Sequence, residues 1–175
     1  MDSPSKLLLF EQSIMPHANA AYNLARWLTR NEHDAEDIVQ EAYLRAFRFF
    51  DSFHGGDGKA WLLTVVRNTC LTWRRREQSM LKVPFDEVIH SSGDVAATRE
   101  TRLVERSQLG NVRDCLESLP LDFREVLVMR ELEEMPYREI AAVTSLPLGT
   151  VMSRLSRARR RLQECVTERM KRAAK

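Results

Sequence analysis

Cysteine is scarce in this sequence: Cys70, Cys115 and Cys165 are the only three in 175 residues. They are odd in number and far apart, with no CxxC pair and no Cys/His cluster. A disulfide framework or zinc site is therefore not expected. Cys70 and Cys115 read as buried structural thiols rather than redox sensors, and a reducing cytoplasm fits best. No apolar run approaches the roughly 18 residues of a membrane span, so membrane insertion is not expected. Met1 to Phe10 holds one lysine and a short apolar tract without a following cleavage pattern, which does not read as a signal peptide. Convincing strand alternation, internal repeats and low-complexity tracts are also missing. No Ser or Tyr nucleophile sits with basic partners, and no carboxylate cluster reads as a metal site. An enzyme acting on nucleic acid is left without support, and no catalytic residue, metal or cofactor is assigned.

What is present suits a soluble globular chain. It is 43% hydrophobic and 30% charged, enough apolar material for one medium domain or two small ones. The formal net charge of +2 hides an asymmetry: residues 1–76 carry +1, residues 77–135 carry −6 and residues 136–175 carry +7. A basic end beside an acidic middle suggests a polyanionic partner for the C-terminal part. A merely solvated basic helix would give the same charge.

Periodic segments have the helical period. A first helix is expected over about Leu7 to Thr29, broken or bent near Pro16. A turn at Asn31-Glu32-His33-Asp34 follows, with Asp34 as the N-cap of a second helix to about Phe50. Asp51 to Gly58 is a glycine loop, and a third helix runs from about Lys59 to Gln78. Val83 to Val95 contains Pro84, Ser91-Ser92 and Gly93, lacks period and reads as a linker. Helical pattern returns near Thr98, with breaks at Ser118-Leu119-Pro120 and Met135-Pro136.

The most informative stretch runs from Tyr137 through Ser145-Leu146-Pro147 to Leu162: a short helix, a tight turn, then a second helix, which is a helix-turn-helix. At 100° per residue, Val151, Leu155, Ala158 and Leu162 form one stripe that must be packed. Ser153, Ser156, Arg157 and Arg160 lie opposite, flanked by Thr150, Arg154 and Arg161, with no acidic residue among these seven. Such a helix fits a major groove, where arginine forks onto guanine edges and its N-terminus faces phosphate.

Asp34 to Arg48 is amphipathic. Ile38, Val39, Ala42, Ala46 and Phe49 share one side, and Asp34, Asp37 and Glu41 another. The acidity of the first turn is partly explained by the helix dipole; the functional reading is a docking face for a basic partner. The segment Trp61 to Arg76 mixes aromatics with a terminal arginine run. Trp61 reads as core, and arginines at a helix C-terminus suit the dipole. Aromatics interleaved with arginine also suit single-stranded DNA, with Asn68 able to bond an unstacked base.

Taken together, these segments resemble the sigma-seventy family, in its small extracytoplasmic-function group. The resemblance is carried by Asp34-Ala35-Glu36-Asp37-Ile38-Val39-Gln40-Glu41, Ala60-Trp61-Leu62 with Arg67-Asn68, and Ser118-Leu119-Pro120 with Arg124-Glu125-Val126. It continues in Tyr137-Arg138-Glu139-Ile140-Ala141 and in Gly149-Thr150-Val151 through Arg159. It implies an all-α fold of two small helical domains joined by a flexible linker, the C-terminal one containing the helix-turn-helix. The expected boundaries are 1–80 (region two), 81–98 (linker) and 99–175 (region four).

By the same resemblance, Asp34, Asp37, Gln40, Glu41 and Leu44 would dock on bacterial core RNA polymerase. Lys59, Trp61, Arg67, Asn68, Trp73, Arg74, Arg75 and Arg76 would capture the melted −10 strand. Thr150, Ser153, Arg154, Ser156, Arg157, Arg160 and Arg161 would read −35 duplex. Promoter DNA and an anti-sigma factor are the implied further partners, and the free chain is expected to be a monomer without cofactor. Three places depart from the family pattern. Lys59 stands where an aromatic is frequent, Thr144-Ser145 where leucine and glycine are common, and Met152 where many relatives have Lys or Arg. An operator-binding regulator independent of polymerase remains the competing reading.

Overall fold

The computed structural model describes residues 3–80 and 108–173. The expected linker, and the return of helix near Thr98, lie outside the described residues. The elements are α1 (Ser3–Ser13), a 3-10 turn (Met15–His17), α2 (Ala18–Thr29), α3 (Glu32–Arg48), α4 (Gly58–Met80), α5 (Gln108–Ser118), α6 (Leu121–Leu127), α7 (Tyr137–Thr144) and α8 (Leu148–Ala173). Among the described residues there is no strand, as the periodicity requires.

The expected first helix is broken at Pro16, into α1 and α2. Pro16 lacks an N–H and restricts the residue before it, so α1 stops and the 3-10 turn redirects the chain into α2. Arg30 ends α2 in the left-handed conformation, φ 63°, its N–H bonded to the carbonyl of Arg26. The cap of α3 is Asn31, not Asp34: Asn31 Oδ1 accepts from the Asp34 N–H at 3.1 Å. An amide oxygen three residues upstream meets a free helix-end donor that the Asp34 side chain cannot reach from within the first turn.

The inward face of α3 is Ala35, Ile38, Ala42 and Ala46, all at most 1% exposed. Phe49, expected among them, is 60% exposed, because α3 has ended and the following turn sends Phe50 inward instead. Phe50 meets Phe10 edge-on with ring centroids 5.2 Å apart and stacks on Phe53 at 5.5 Å, and Trp61 closes this cluster. The start of α4 lies against the end of α1 so closely that a Cβ on Gly58 would stand 2.2 Å from the Ser13 carbonyl oxygen.

In the C-terminal half, α6 runs into a π-helical turn (Val128–Leu132), and Pro136 starts α7. Ser145 terminates α7 at φ 56°, and its N–H reaches back to the carbonyls of Ala141 and Ala142. Leu148 then opens α8. Cys115 on α5 and Cys165 on α8 are joined by a disulfide, contrary to the sequence expectation. Fifty residues separate them along the chain, but α5 packs along α8 and brings their Cα atoms to 5.8 Å. Cysteine spacing alone carries no trace of that packing. Cys70 is free and buried.

Buried side chains of both halves form one continuous core. Within it α2 packs on α3 and α4, α6 on α8, and across the halves α4 meets α7 and α2 meets α6.

Candidate nucleic-acid interface

The helix-turn-helix is α7, the Ser145-Leu146-Pro147 turn and the first half of α8. Val151, Leu155 and Ala158 are at most 1% exposed and Leu162 is half-buried, so the expected stripe is the packed one. Ser153, Ser156, Arg157 and Arg160 are exposed on the other side. Ser153 Oγ donates to the Thr150 carbonyl at 3.0 Å, and Arg160 lies 3.8 Å from Glu164 one turn along. Arg161 covers the Phe123 ring at 5.0 Å. Arg154 is engaged internally: its guanidinium lies 3.1 Å from Asp122 and 3.5 Å from Glu125. Thr150 is half-buried at the start of the helix.

The α4 set is split. Asn68, Arg75 and Arg76 are exposed, and Trp61 is half-buried in the aromatic cluster. Trp73 and Arg74 line a cleft of about 410 Å³ with Arg30, Asn31, Asp34 and Glu77. Lys59 and Arg67 instead bind the C-terminal half. Lys59 Nζ donates to the Glu133 carbonyl at 2.6 Å and sits 3.1 Å from its carboxylate. Arg67 forks onto Glu125, Nε to Oε2 at 2.7 Å and Nη2 to Oε1 at 3.2 Å.

On α3, Asp37, Gln40 and Leu44 are exposed, with Asp34 and Glu41 half-buried beside them. Glu41 is hydrogen-bonded to Arg45, and Asp37 lies 3.9 Å from His33. Leu44, at 72% exposure, is an apolar residue facing solvent amid acidic neighbours.

Sequence reasoning missed the two carboxylates that receive these cations. Glu125 is 1% exposed and Glu133 8%, and Asn23 of α2 also donates to Glu133 at 3.2 Å. A buried carboxylate needs such partners, because its desolvation is otherwise uncompensated. The available signal was that Glu125 directly precedes the apolar run Val126-Leu127-Val128-Met129. Arg124, 2% exposed, was missed as well; it donates to the carbonyls of Glu117 at 2.6 Å and Leu119 at 3.1 Å. Burial, with Arg30 and Arg74 nearby, pushes its pKa down to about 10. Glu139 on α7 faces Asp57 in the glycine loop, and desolvation plus that neighbouring acid raise its pKa.

Among the described residues, whose elements are helical, an acidic helix face, an aromatic-arginine helix and a helix-turn-helix occur in that order along the chain. Family models match in the same order: Sigma-70 region 2 over residues 14–80 and Sigma-70, region 4 over residues 109–162. The chain is 35% identical over 134 residues to the ECF RNA polymerase sigma-E factor of Escherichia coli, covering 72% of this chain and 70% of that one. It is 32% identical over 160 residues to the ECF RNA polymerase sigma factor SigE of Mycolicibacterium smegmatis, covering 89% of this chain but 60% of the relative's length.

Among solved structures, it is similar to the sigma factor RpoE of Bartonella quintana in complex with the anti-sigma factor NepR. That match has a TM-score of 0.70 and 29% identity over 90% of this chain and 96% of the other. It is also similar to CnrH in complex with the cytosolic domain of CnrY, with a TM-score of 0.64 and 25% identity over 91% and 88%. The chain belongs to the sigma-70 family, in its extracytoplasmic-function (ECF) group. Among the described residues no helix is long and apolar enough to cross a membrane.

Proposed function

We propose that this chain is a promoter-recognition subunit that binds bacterial core RNA polymerase in the cytoplasm and starts transcription at promoters with two short elements, without catalytic activity of its own. The observation that carries this reading is the pairing, on one chain, of the acidic, leucine-tipped outer face of α3 with the arginine-bearing outer face of α8. In an operator-binding regulator the first would be unexplained or would serve dimerisation.

In this reading residues 1–80 form the polymerase-docking and −10 unit, 81–98 the linker and 99–175 the −35 unit. Asp34, Asp37, Gln40, Glu41 and Leu44 dock on the polymerase. Asn68, Trp73, Arg74, Arg75 and Arg76 receive melted −10 DNA, joined by Lys59, Trp61 and Arg67. Thr150, Ser153, Arg154, Ser156, Arg157, Arg160 and Arg161 read −35 duplex. Lys59, Arg67 and Arg154 are paired with carboxylates here, so DNA must compete with Glu125 and Glu133 for them. Splitting recognition over two modules on one polymerase makes effective concentration, not either module's own affinity, decide promoter occupancy. The relatives seen with NepR and CnrY support an anti-sigma factor as a further partner of the free, monomeric chain.

Gel shift of promoter duplex tests the polymerase dependence. A shift only when core polymerase is added supports the proposal, whereas a sequence-specific shift by the chain alone supports an operator-binding regulator.

A further inference from the structure

We propose that Cys115 and Cys165 form a reversible redox-modification site that takes a peroxide or a small-molecule disulfide as oxidant and clamps the distal half of α8 onto α5. The proposal rests on the cytoplasmic role argued above. Bridges in a reducing compartment are rarely permanent and are usually catalytic or sensing. The geometry of the seam carries it further. One helical turn beyond Cys165, Arg169 is paired with Asp114, the neighbour of Cys115. That ion pair keeps the two sulfurs opposed when the bond is open, so closing it needs no rearrangement of the helices.

The two cysteines differ in access. Cys165 is partly exposed and Cys115 fully buried, so an oxidant reaches Cys165 first. Its thiolate attacks one peroxide oxygen and the O–O bond breaks. The departing hydroxide takes a proton and leaves as water, and Cys165 becomes a sulfenic acid. Cys115 sulfur then attacks Cys165 sulfur, the S–O bond breaks, and the Cys115 proton leaves with the hydroxyl as a second water. Two thiols have lost two electrons and one peroxide has gained them. With a small-molecule disulfide, the Cys165 thiolate attacks one sulfur and expels the other as a thiol. Cys115 sulfur then displaces the second thiol from the mixed disulfide, and excess thiol reverses both exchanges. Cys70 takes no part: it is enclosed in the core, and burial pushes its thiol up to about 12.

Between α5 and α8 lies an apolar groove in which Val112 of α5, Leu127 of α6, and Leu162 and Val166 of α8 meet. Oxidation therefore fixes the spacing of α5 and α8 and braces the helix whose first half carries the DNA-facing residues.

The test is a redox titration of the full wild-type chain in mixtures of reduced and oxidised glutathione, with acid quenching, alkylation and mass spectrometry. Cys115 and Cys165 are expected to become protected together as the oxidised share rises, with no intermolecular dimer, and hydrogen peroxide should give the same pair. The oxidised chain should melt roughly 10 °C above the reduced one, a difference absent in Cys165→Ser. A bond that survives excess reduced glutathione would mark a permanent bridge and overturn the proposal. So would thiols that stay open to alkylation in excess oxidant. These readouts do not involve polymerase: failure here leaves the promoter-recognition reading standing, and loss of polymerase binding in both redox forms sinks that reading alone.

Discussion

Arg67 of α4 and Glu125 of α6 form a two-pronged ion pair between the N-terminal and C-terminal halves, and the same carboxylate lies 3.5 Å from Arg154 of α8. One buried acid thus holds a cation from each of the two candidate DNA surfaces.

Glu125→Gln keeps the shape and removes the charge, leaving two guanidinium groups facing a neutral amide. Breaking a buried pair by removing one partner costs about 3–5 kcal/mol. Since Arg67 is 14% exposed, the lower end is expected. Small-angle scattering should show a larger radius of gyration for the variant, and single-stranded DNA should bind it more tightly than wild type. An unchanged radius would mean that apolar packing alone holds the halves together.

The contact should also respond to pH. The pKa of Glu139 is raised by desolvation and by Asp57. A carboxyl whose folded value lies above its unfolded value holds its proton longer when folded. Its contribution is fully present below the unfolded value and is lost as pH rises through the folded one. The packed form is therefore expected to be relatively favoured at mildly acid pH. Glu139→Gln should flatten that part of the stability–pH profile from chemical denaturation and stabilise the chain at neutral pH.

Ser145 carries a left-handed backbone at the turn of the helix-turn-helix, φ 56°. A side chain there costs about 1 kcal/mol relative to glycine. Ser145→Gly is expected to raise the stability of the chain by about that amount in urea unfolding, with promoter selectivity unchanged. A loss of stability would show that the serine makes up for its backbone elsewhere.

On α3, Asp37 is exposed and outside the core. Asp37→Lys should leave the melting temperature within about 2 °C of wild type, as surface changes do. It should weaken binding to core polymerase at least about tenfold, measured by fluorescence anisotropy. Equal binding would move the docking face off α3.

Much of the architecture could be read from periodicity and breakers. Pro16, the glycine loop and Pro136 punctuate helices whose apolar stripes are the ones packed, and α8 turns Arg157 and Arg160 outward as the stripe of Val151, Leu155 and Ala158 requires. What escaped depends on tertiary proximity. Glu125 and Glu133 look like ordinary charges until α4 and α2 are placed against them. Cys115 and Cys165 look unrelated until α5 lies along α8. The cap lies at Asn31 rather than Asp34 because α3 already starts at Glu32, ahead of Asp34, and Asn31 Oδ1 accepts from the Asp34 N–H. Phe49 was misplaced because helix period was extended one residue past the end of α3.

Run-off transcription with the purified chain, bacterial core polymerase and genomic promoter fragments tests the central claim most directly. The account predicts discrete start sites that depend on the chain and weaken when Asp37 or Arg157 is replaced. Core polymerase starting at the same positions without the chain, or no specific transcript with it, would contradict the account.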